Sequence, residues 1–404
     1  MPFIMTVANR SSPAVVGFAA LAFLVGRWRE EGGLPRTLLT PLGSPLGRVA
    51  LAFVAWCVVS IAWSPFPGLS FRMLGEFLPT LLAAYLLARL APGRLPGFAP
   101  GLGAIAIVFS GLYIAVDLAA DLPMERALGN RVAAFVFNRP AMILDLVAAP
   151  LALLLWRRRD RIGAAATLAF AGLGILRSIS GAAAMGLAAG LGMASLGRAL
   201  PRRWGIGLAG LGLGLALALA PMEGDLLARI MPNTVHAQLT QSSSRARVAI
   251  ARSFGAAVAA DPWRGAGFGT SGRFAETPVA AKVPAEMRVL LAVGHPHNSF
   301  LQVWTELGVL GAFLTGLALM TMLARLSGLP DADRAVALGL VACAAAIAFV
   351  EHNAWAGWWT AGLGAAITWA REASHAREAG LARKAGRARV SPVAPQPTTM
   401  DPRL

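Results

Sequence analysis

The sequence predicts an all-α, polytopic membrane helix bundle with one long periplasmic loop subdomain. Three observations predict it. Hydrophobic residues make up 56% of the 404 residues and charged residues only 14%, too few to clothe a water-facing globule of ordinary composition. Apolar stretches of roughly 18–20 residues, the length that crosses a bilayer as a helix, recur along most of the chain. Arginines gather in every second link between those stretches. A soluble enzyme, a disordered chain and a secreted disulfide scaffold are thereby excluded. Cys57 and Cys343 both fall inside apolar runs, which argues against a disulfide framework.

The expected spans are 12–26, 48–63, 73–88, 101–116, 140–156, 163–176, 182–196, 205–220, 299–323, 335–350 and 354–369. That is about 11 spans, within a range of roughly 10–12, with ends placed to about 2–4 residues. The first is a retained span and not a cleaved signal peptide, because Arg27, Trp28 and Arg29 follow it with no small-residue cleavage site. Gly and Ala crowd residues 163–220, with Gly186/Gly190 and Gly210/Gly214 at four-residue spacing. Small residues at that spacing let helix backbones approach closely in lipid.

Arginine placement sets orientation. One side receives Arg27/Arg29/Arg36, Arg89/Arg94, Arg157–Arg159 with Arg161, Arg198/Arg202/Arg203, Arg325/Arg334 and the tail with Arg377, Arg383, Lys384, Arg387 and Arg389. Short arginine-rich links mark the cytoplasm, so the N-terminus is expected outside and the C-terminus inside. The net charge of +16 is then mostly topology. No nucleic-acid partner is expected, since no soluble patch collects the charge. The organisation expected is 1–220 as an N-terminal bundle, 221–298 as the periplasmic subdomain, 299–370 as C-terminal helices and 371–404 as a basic cytoplasmic tail, partly disordered.

The outer segments are 64–72, 117–139, 177–181, 221–298 and 351–353. Within the long one, residues 244–260 read as an amphipathic helix with Arg245 and Arg252 seven apart, ended by Asp261-Pro262. Inside the spans the main ionisable residues are Glu76 and Asp145, both toward the outer ends. A charge at the bilayer centre costs about 2.5–3.5 kcal/mol on insertion scales, and a coupled transporter would set a relay near the midplane. Polar chemistry concentrated at the outer boundary favours a site facing that leaflet.

The segment from His295-Pro-His297-Asn298 through Glu306-Leu-Gly308 to Gly311 closes the long loop and enters a span. A histidine there can serve as a general base or bind a reacting oxygen; alternatively His297 and Asn298 cap the helix and hold the loop. His295 and His297 could form a metal pair with Glu351 and His352 completing a site, but zinc sites need three or four ligands with supporting groups and two loop histidines are weak evidence, so no metal or other cofactor is expected. Gly267-Phe-Gly269-Thr-Ser-Gly272 satisfies a dinucleotide fingerprint without the strand that fingerprint needs, so it reads as a turn. Trp355, Trp358 and Trp359 read as interfacial anchors.

Taken together, His297-Asn298, nine residues and then Gly308-x-x-Gly311 resemble the signature of the O-antigen ligase and polymerase superfamily. Other segments resemble it in the same order. They are Trp63-Ser64-Pro65-Phe-Pro67-Gly68-Leu-Ser70-Phe-Arg72, Phe137-Asn138-Arg139-Pro140, Ser244-Arg245, and Asp261-Pro262-Trp263-Arg264-Gly265-Ala-Gly267-Phe-Gly269. Two positions depart from the pattern. Gly181 stands where a Ser-Arg arginine is usual, with Arg177 one helical turn back, and Ala249 stands where an aromatic is usual.

The resemblance implies a polytopic inner-membrane glycosyltransferase that uses an undecaprenyl-diphosphate-linked glycan donor without a metal. The acceptor it implies is a lipid A core sugar in a ligase, another glycan in a polymerase, or protein in a third branch; a solute transporter is the rival from another class. Arg245, Arg177, Arg139, Arg247 and Arg72 are the expected donor-binding residues, because guanidinium forks bind phosphate oxygens and stay charged. Each arginine alone could instead snorkel to lipid headgroups. His297 is the expected catalytic residue, supported by His295, Asn298, Gly308 and Gly311.

Overall fold

The computed structural model of the protein describes residues 1–33, 35–232, 234, 244–350 and 353–390. Among these residues it contains helices and no strand. In chain order the α-helices are α1 (Pro2–Val7), α2 (Ser12–Glu31), α3 (Pro45–Val59), α4 (Pro67–Leu90), α5 (Ala99–Ala119), α6 (Pro123–Ala127), α7 (Asn138–Arg157) and α8 (Arg161–Arg177). They continue with α9 (Gly181–Ala199), α10 (Arg202–Ala218), α11 (Glu223–Ile230), α12 (Ser244–Ala260), α13 (Ala285–Leu291), α14 (Ser299–Leu326), α15 (Asp331–Val350) and α16 (Gly357–Val390).

Local chemistry sets many of these starts. Proline occupies the first turn of α2, α3, α4 and α5, where its missing N–H costs nothing. Side chains of Ser44, Asp160 and Ser180 accept from the amides of Gly47, Gly163 and Ala183 and so cap α3, α8 and α9. The amphipathic helix expected over 244–260 is α12.

Every expected span is helical. Among the described residues six helical segments are long and apolar enough to cross a membrane, those over 45–63, 67–90, 99–119, 134–157, 299–326 and 331–350. The helices over 202–218 and 220–230 would make a seventh as one span, bent by 54°. The remaining expected spans fall short of that length and apolarity. Helix α8 has 17 residues, and α2 carries Arg27, Arg29, Glu30 and Glu31 in its last turns. The architecture is an all-α, polytopic membrane bundle.

Tight packing follows the small residues where they face a partner. Helix α9 lies along α15, with a Cβ on Gly190 meeting the Cys343 side chain at 3.2 Å and one on Gly339 meeting the Gly190 carbonyl at 2.8 Å. Gly214 of the second pair faces open space, so four-residue spacing alone does not identify a helix contact.

At the arginine-rich end, α16 continues unbroken past Ala370 to Val390, so residues 371–390 extend the last helix, and 391–404 lie outside the described residues. Asp333 receives both guanidinium nitrogens of Arg157 at 2.8 Å and the Ser374 hydroxyl at 2.8 Å. Glu372 pairs with Arg158 at 3.1 Å and accepts from the Gly93 amide. These bonds tie α16 to α7, α15 and the α4–α5 turn.

The described residues of 221–298 pack onto the bundle. Their core residues Phe254, Phe268 and Phe274 belong to one continuous hydrophobic cluster with Ile143 and Leu146 of α7 and Ile347 of α15.

Candidate active site

Helix α14 breaks at Gly308, whose φ of 64° and ψ of −163° leave the helical region. The break frees three carbonyls, and each finds a donor. Ala266 N–H donates to Thr305 O and Gly267 N–H to Glu306 O, both at 2.8 Å. The Trp56 indole donates to Leu307 O at 3.0 Å. Beyond the break, Val309 N–H donates to Pro262 O at 2.8 Å. The turn after α12 therefore plugs the gap in α14, as buried backbone groups require partners. A Cβ on Gly308 would collide with the Trp263 carbonyl, and Gly267, at φ 96°, has no room for one beside Ser64. Gly265, where a Cβ would meet the Glu306 backbone, completes the set of glycines that this junction explains. Gly267-Phe-Gly269-Thr-Ser-Gly272 is a turn running into a 3-10 segment.

A file of polar residues at four-residue spacing runs down the buried face of α14: Asn298, Gln302 and Glu306. Asn298 Oδ1 accepts from the amides of Phe300 at 2.8 Å and Leu301 at 3.2 Å, capping α14, while its Nδ2 donates to Glu223. Gln302 donates to Glu306 at 2.9 Å and to Asn353 at 3.2 Å, and accepts from Ala354 N–H at 2.9 Å. The Glu306 carboxylate accepts from Gly269 N–H, Ser271 N–H, the Ser271 hydroxyl, Gln302 and the Trp355 indole. So many donors are what a buried carboxylate requires.

The end of the helical stretch over 45–63 and the first outer segment pack on the same junction: Ser60 Oγ accepts from Phe268 N–H at 3.0 Å, and Ser64, bonded to Ser70 at 2.8 Å, lies against Gly267. Trp355 lies 4.7 Å from Phe268 and 5.6 Å from Phe77. Trp355, Trp358 and Trp359 are all buried, which corrects their expected place as interfacial anchors. Trp355 packs on protein rings and donates to the Glu306 carboxylate, while Trp358 faces Trp359 and the Arg139 guanidinium.

His297 sits at the head of this file, one residue before the cap. Its φ of 54° is unusual for a side-chain-bearing residue. Its amide donates to His295 Nδ1 at 3.2 Å, and the two rings lie 4.2 Å apart. Burial, and then the positive charge of Arg247, hold the His297 imidazole down at about 4, so it is neutral near pH 7. Its buried Nδ1 has no partner among the described residues.

Arg247 is thus the arginine electrostatically linked to His297. Arg245, in the first turn of α12, and Arg177, ending α8, are exposed and make no hydrogen bond or ion pair with any described residue. Arg139, in the first turn of α7, places its guanidinium over Trp358 at 5.6 Å. Arg72 lies on α4, exposed, 3.6 Å from Glu76. The structure therefore joins His297, His295, Asn298 and Arg247 around the start of α14, with Gly308 at the break farther along that helix. It shows no direct bond from Arg177, Arg245 or Arg72 to that centre.

Glu223, Gln302 and Glu306 were not singled out by sequence reasoning. The signal for the latter two was available: positions 298, 302 and 306 put three polar residues on one stripe of an apolar span. Glu223 gave no such signal, since its contact with Asn298 spans 75 positions. Among the described residues no three His, Cys, Asp or Glu side chains are placed to hold a metal ion; Glu351 and His352 lie outside the described residues.

No curated protein matches the chain. The family described as O-antigen ligase matches residues 164–316, a stretch that runs from α8 through the break in α14. It contains Arg177, Arg245, Arg247, His295, His297, Asn298, Gly308 and Gly311, while Arg72 and Arg139 precede it. This match, on a multi-pass bundle of apolar helices, supports the chain's membership of the O-antigen ligase superfamily.

Proposed function

We propose that the protein is a metal-independent, O-antigen ligase-type glycosyltransferase of the bacterial inner membrane. In this reading the arginine-rich end is cytoplasmic, with the N-terminus outside and the C-terminus inside, and the opposite end faces the periplasm. The enzyme moves a glycan from undecaprenyl diphosphate to an acceptor hydroxyl, a sugar of the lipid A core. The observation that carries the proposal is His297, neutral and partly buried beside Arg247 at the head of α14.

The donor's diphosphate binds among Arg247, Arg245 and Arg177, with Arg139 and Arg72 flanking. Arg245 and Arg139 each lie in the first turn of a helix, where backbone N–H groups also favour anions. The acceptor oxygen attacks the anomeric carbon, the new C–O bond forms, and the bond to the diphosphate breaks. The hydroxyl proton passes to His297 and then to solvent, while undecaprenyl diphosphate leaves with its charge held by guanidinium groups. An imidazole held at about 4 is a weak base in the empty protein. Burial is the larger cause of that depression; the bound diphosphate offsets the smaller one, the Arg247 charge, and as an anion beside the ring it favours the protonated form, so the base strengthens when donor arrives. Asn298 fixes the ring by capping α14 and bonding Glu223.

The test is the lipopolysaccharide and lipid-linked glycan of a deletion strain, complemented with wild type or His297→Ala. Full-length polymer left on its lipid carrier with bare core supports ligation. Single repeats on core point to a polymerase, and loss of glycan from protein alone points to the protein-directed branch. Unchanged transfer by His297→Ala would remove the catalytic role.

A further inference from the structure

At the arginine-rich end most of the cations that touch the bundle are matched by acids. Arg27 and Arg94 meet Glu30, Arg157 and Arg377 meet Asp333, Arg158 meets Glu372, and Arg334 meets Asp331. Arg89 and Arg371 are the exception. Neither makes an ion pair with any described residue, although Glu372 is the next residue along and already serves Arg158 and the Gly93 amide. Topology explains why arginines gather at this end. It does not explain why two of them face each other with no acid between.

Helix register brings the two together. Helices α4 and α16 run side by side in the same direction. A Cβ on Gly357 would meet Thr80 Oγ1 at 3.2 Å, and one on Gly364 would meet the Ala84 Cβ at 2.5 Å. Farther on, Gly93 donates to Glu372 at 2.5 Å. Arg89 and Arg371 both fall in this last interval, between 84 and 93 on one strand of the pair and between 364 and 372 on the other. Arg89 lies in the last turn of α4.

The corner around them is short of acceptors. Arg89 Nη2 donates to Thr37 O at 3.2 Å and the Tyr85 hydroxyl to Leu38 O at 2.5 Å, so the link after α2 lies against this corner. Arg89 Nε is buried and has no partner among the described residues. Partial burial, and then the charge of Arg89, hold the Arg371 guanidinium below its ordinary value. A buried N–H left open costs free energy, and two facing cations add to the cost. An anion with several oxygens removes both penalties at once. Phosphate suits two guanidinium forks, because each fork takes a pair of its oxygens.

We infer that Arg89 and Arg371 form a phosphate-binding site between α4 and α16, at the end of the bundle away from His297. The site does not rest on the transferase reading. Its phosphate belongs either to an anionic phospholipid, whose headgroup basic pockets between helices hold at that level, or to a soluble phosphate.

The experiment uses the full chain, delipidated in neutral detergent, and follows its unfolding temperature. The additions are dioctanoyl phosphatidylglycerol, dioctanoyl phosphatidylcholine, inorganic phosphate, and sodium chloride of matched ionic strength, since salt alone screens the repulsion. A rise with phosphatidylglycerol alone makes the source a lipid, and a rise with inorganic phosphate above the chloride control makes it a soluble phosphate. In either case the apparent affinity should fall about tenfold in Arg89→Gln and Arg371→Gln. Arg29→Gln, which removes an exposed arginine at the same end, keeps the wild-type response. Arg89→Gln also loses its Thr37 bond, so Arg371→Gln, with no bond to lose, decides where the two differ. Without any addition Arg371→Gln should be at least as stable as wild type, because the repulsion is relieved. A less stable Arg371→Gln in that state marks a structural arginine and overturns the inference. So does an equal response to chloride or phosphatidylcholine, or an undiminished response in Arg371→Gln.

Discussion

The amide of Gly267 donates to the carbonyl of Glu306 at 2.8 Å, across a gap where α14 has stopped being a helix. That one bond joins the turn after α12 to the helix that begins with the His297 loop. Perturbing the junction should therefore reach the site as well as the fold.

Replacing Gly308 by alanine places a Cβ against the Trp263 carbonyl at a positive φ. The expected loss is about 3 kcal/mol, seen as a lower unfolding temperature in detergent. A variant as stable as wild type would show that the turn can withdraw from the gap.

Glu306→Gln exchanges one acceptor oxygen for a donor nitrogen among groups that all donate. Two donors then face each other, at a cost of about 1–3 kcal/mol. Glu306→Leu strips every acceptor and should be worse. The order Gln above Leu in thermal stability is the check.

Asn298→Asp keeps the oxygen that caps α14 but sets a second carboxylate against Glu223. Its stability should fall below wild type at pH 8 and recover at pH 5, where one of the pair takes a proton. Asn298→Ala, which loses the cap outright, should show no such recovery. Unfolding temperatures across that pH range separate the two.

His297 titrates at about 4 when folded, below its ordinary 6.5. Between those values the unfolded chain binds the proton and the folded one does not, so this residue's contribution to stability is full above pH 6.5. It declines as pH falls toward 4. The slope is at most about 1.4 kcal/mol per pH unit, and less with the ring partly open to water. Donor binding should take up a proton, measurable by calorimetry in buffers of different ionisation enthalpy, and His297→Gln should abolish that uptake.

Asp333→Asn removes the partner of Arg157 in a pair that is almost closed to water. About 3–5 kcal/mol of stability should go. Since the pair lies at the arginine-rich end, far along α7 from Arg139, glycan transfer by surviving folded protein should be near normal.

Much of this was legible in the residues. Span composition and arginine alternation are local signals, so the helices and the bundle could be read directly, as could the amphipathic helix over 244–260. His297-Asn298 and Gly308-x-x-Gly311 were legible as a pattern. What the glycines do was not, because their reason is a turn some forty positions earlier that fills the break. Trp355 was misread for the same reason: its partner, the Glu306 carboxylate, is a tertiary neighbour with no mark in the local sequence. Spacing also misled at Gly214, which faces open space although it repeats the spacing of Gly186/Gly190.

The interruption at Gly308 also fixes a level. Unbroken, the 28 residues of α14 would measure about 42 Å, well over a hydrocarbon core of about 30 Å. From Val309 to Leu326 the helix is about 27 Å long, a match for that core. The turns from Ser299 to Leu307 then stand above the acyl chains, and Gln302 and Glu306 with them. If the stretch after the break spans the hydrocarbon, as the proposed function requires, the junction of turn and helix would stand at the height where hydrocarbon gives way to headgroups. Chemistry on a lipid-borne phosphate needs its side chains at that height.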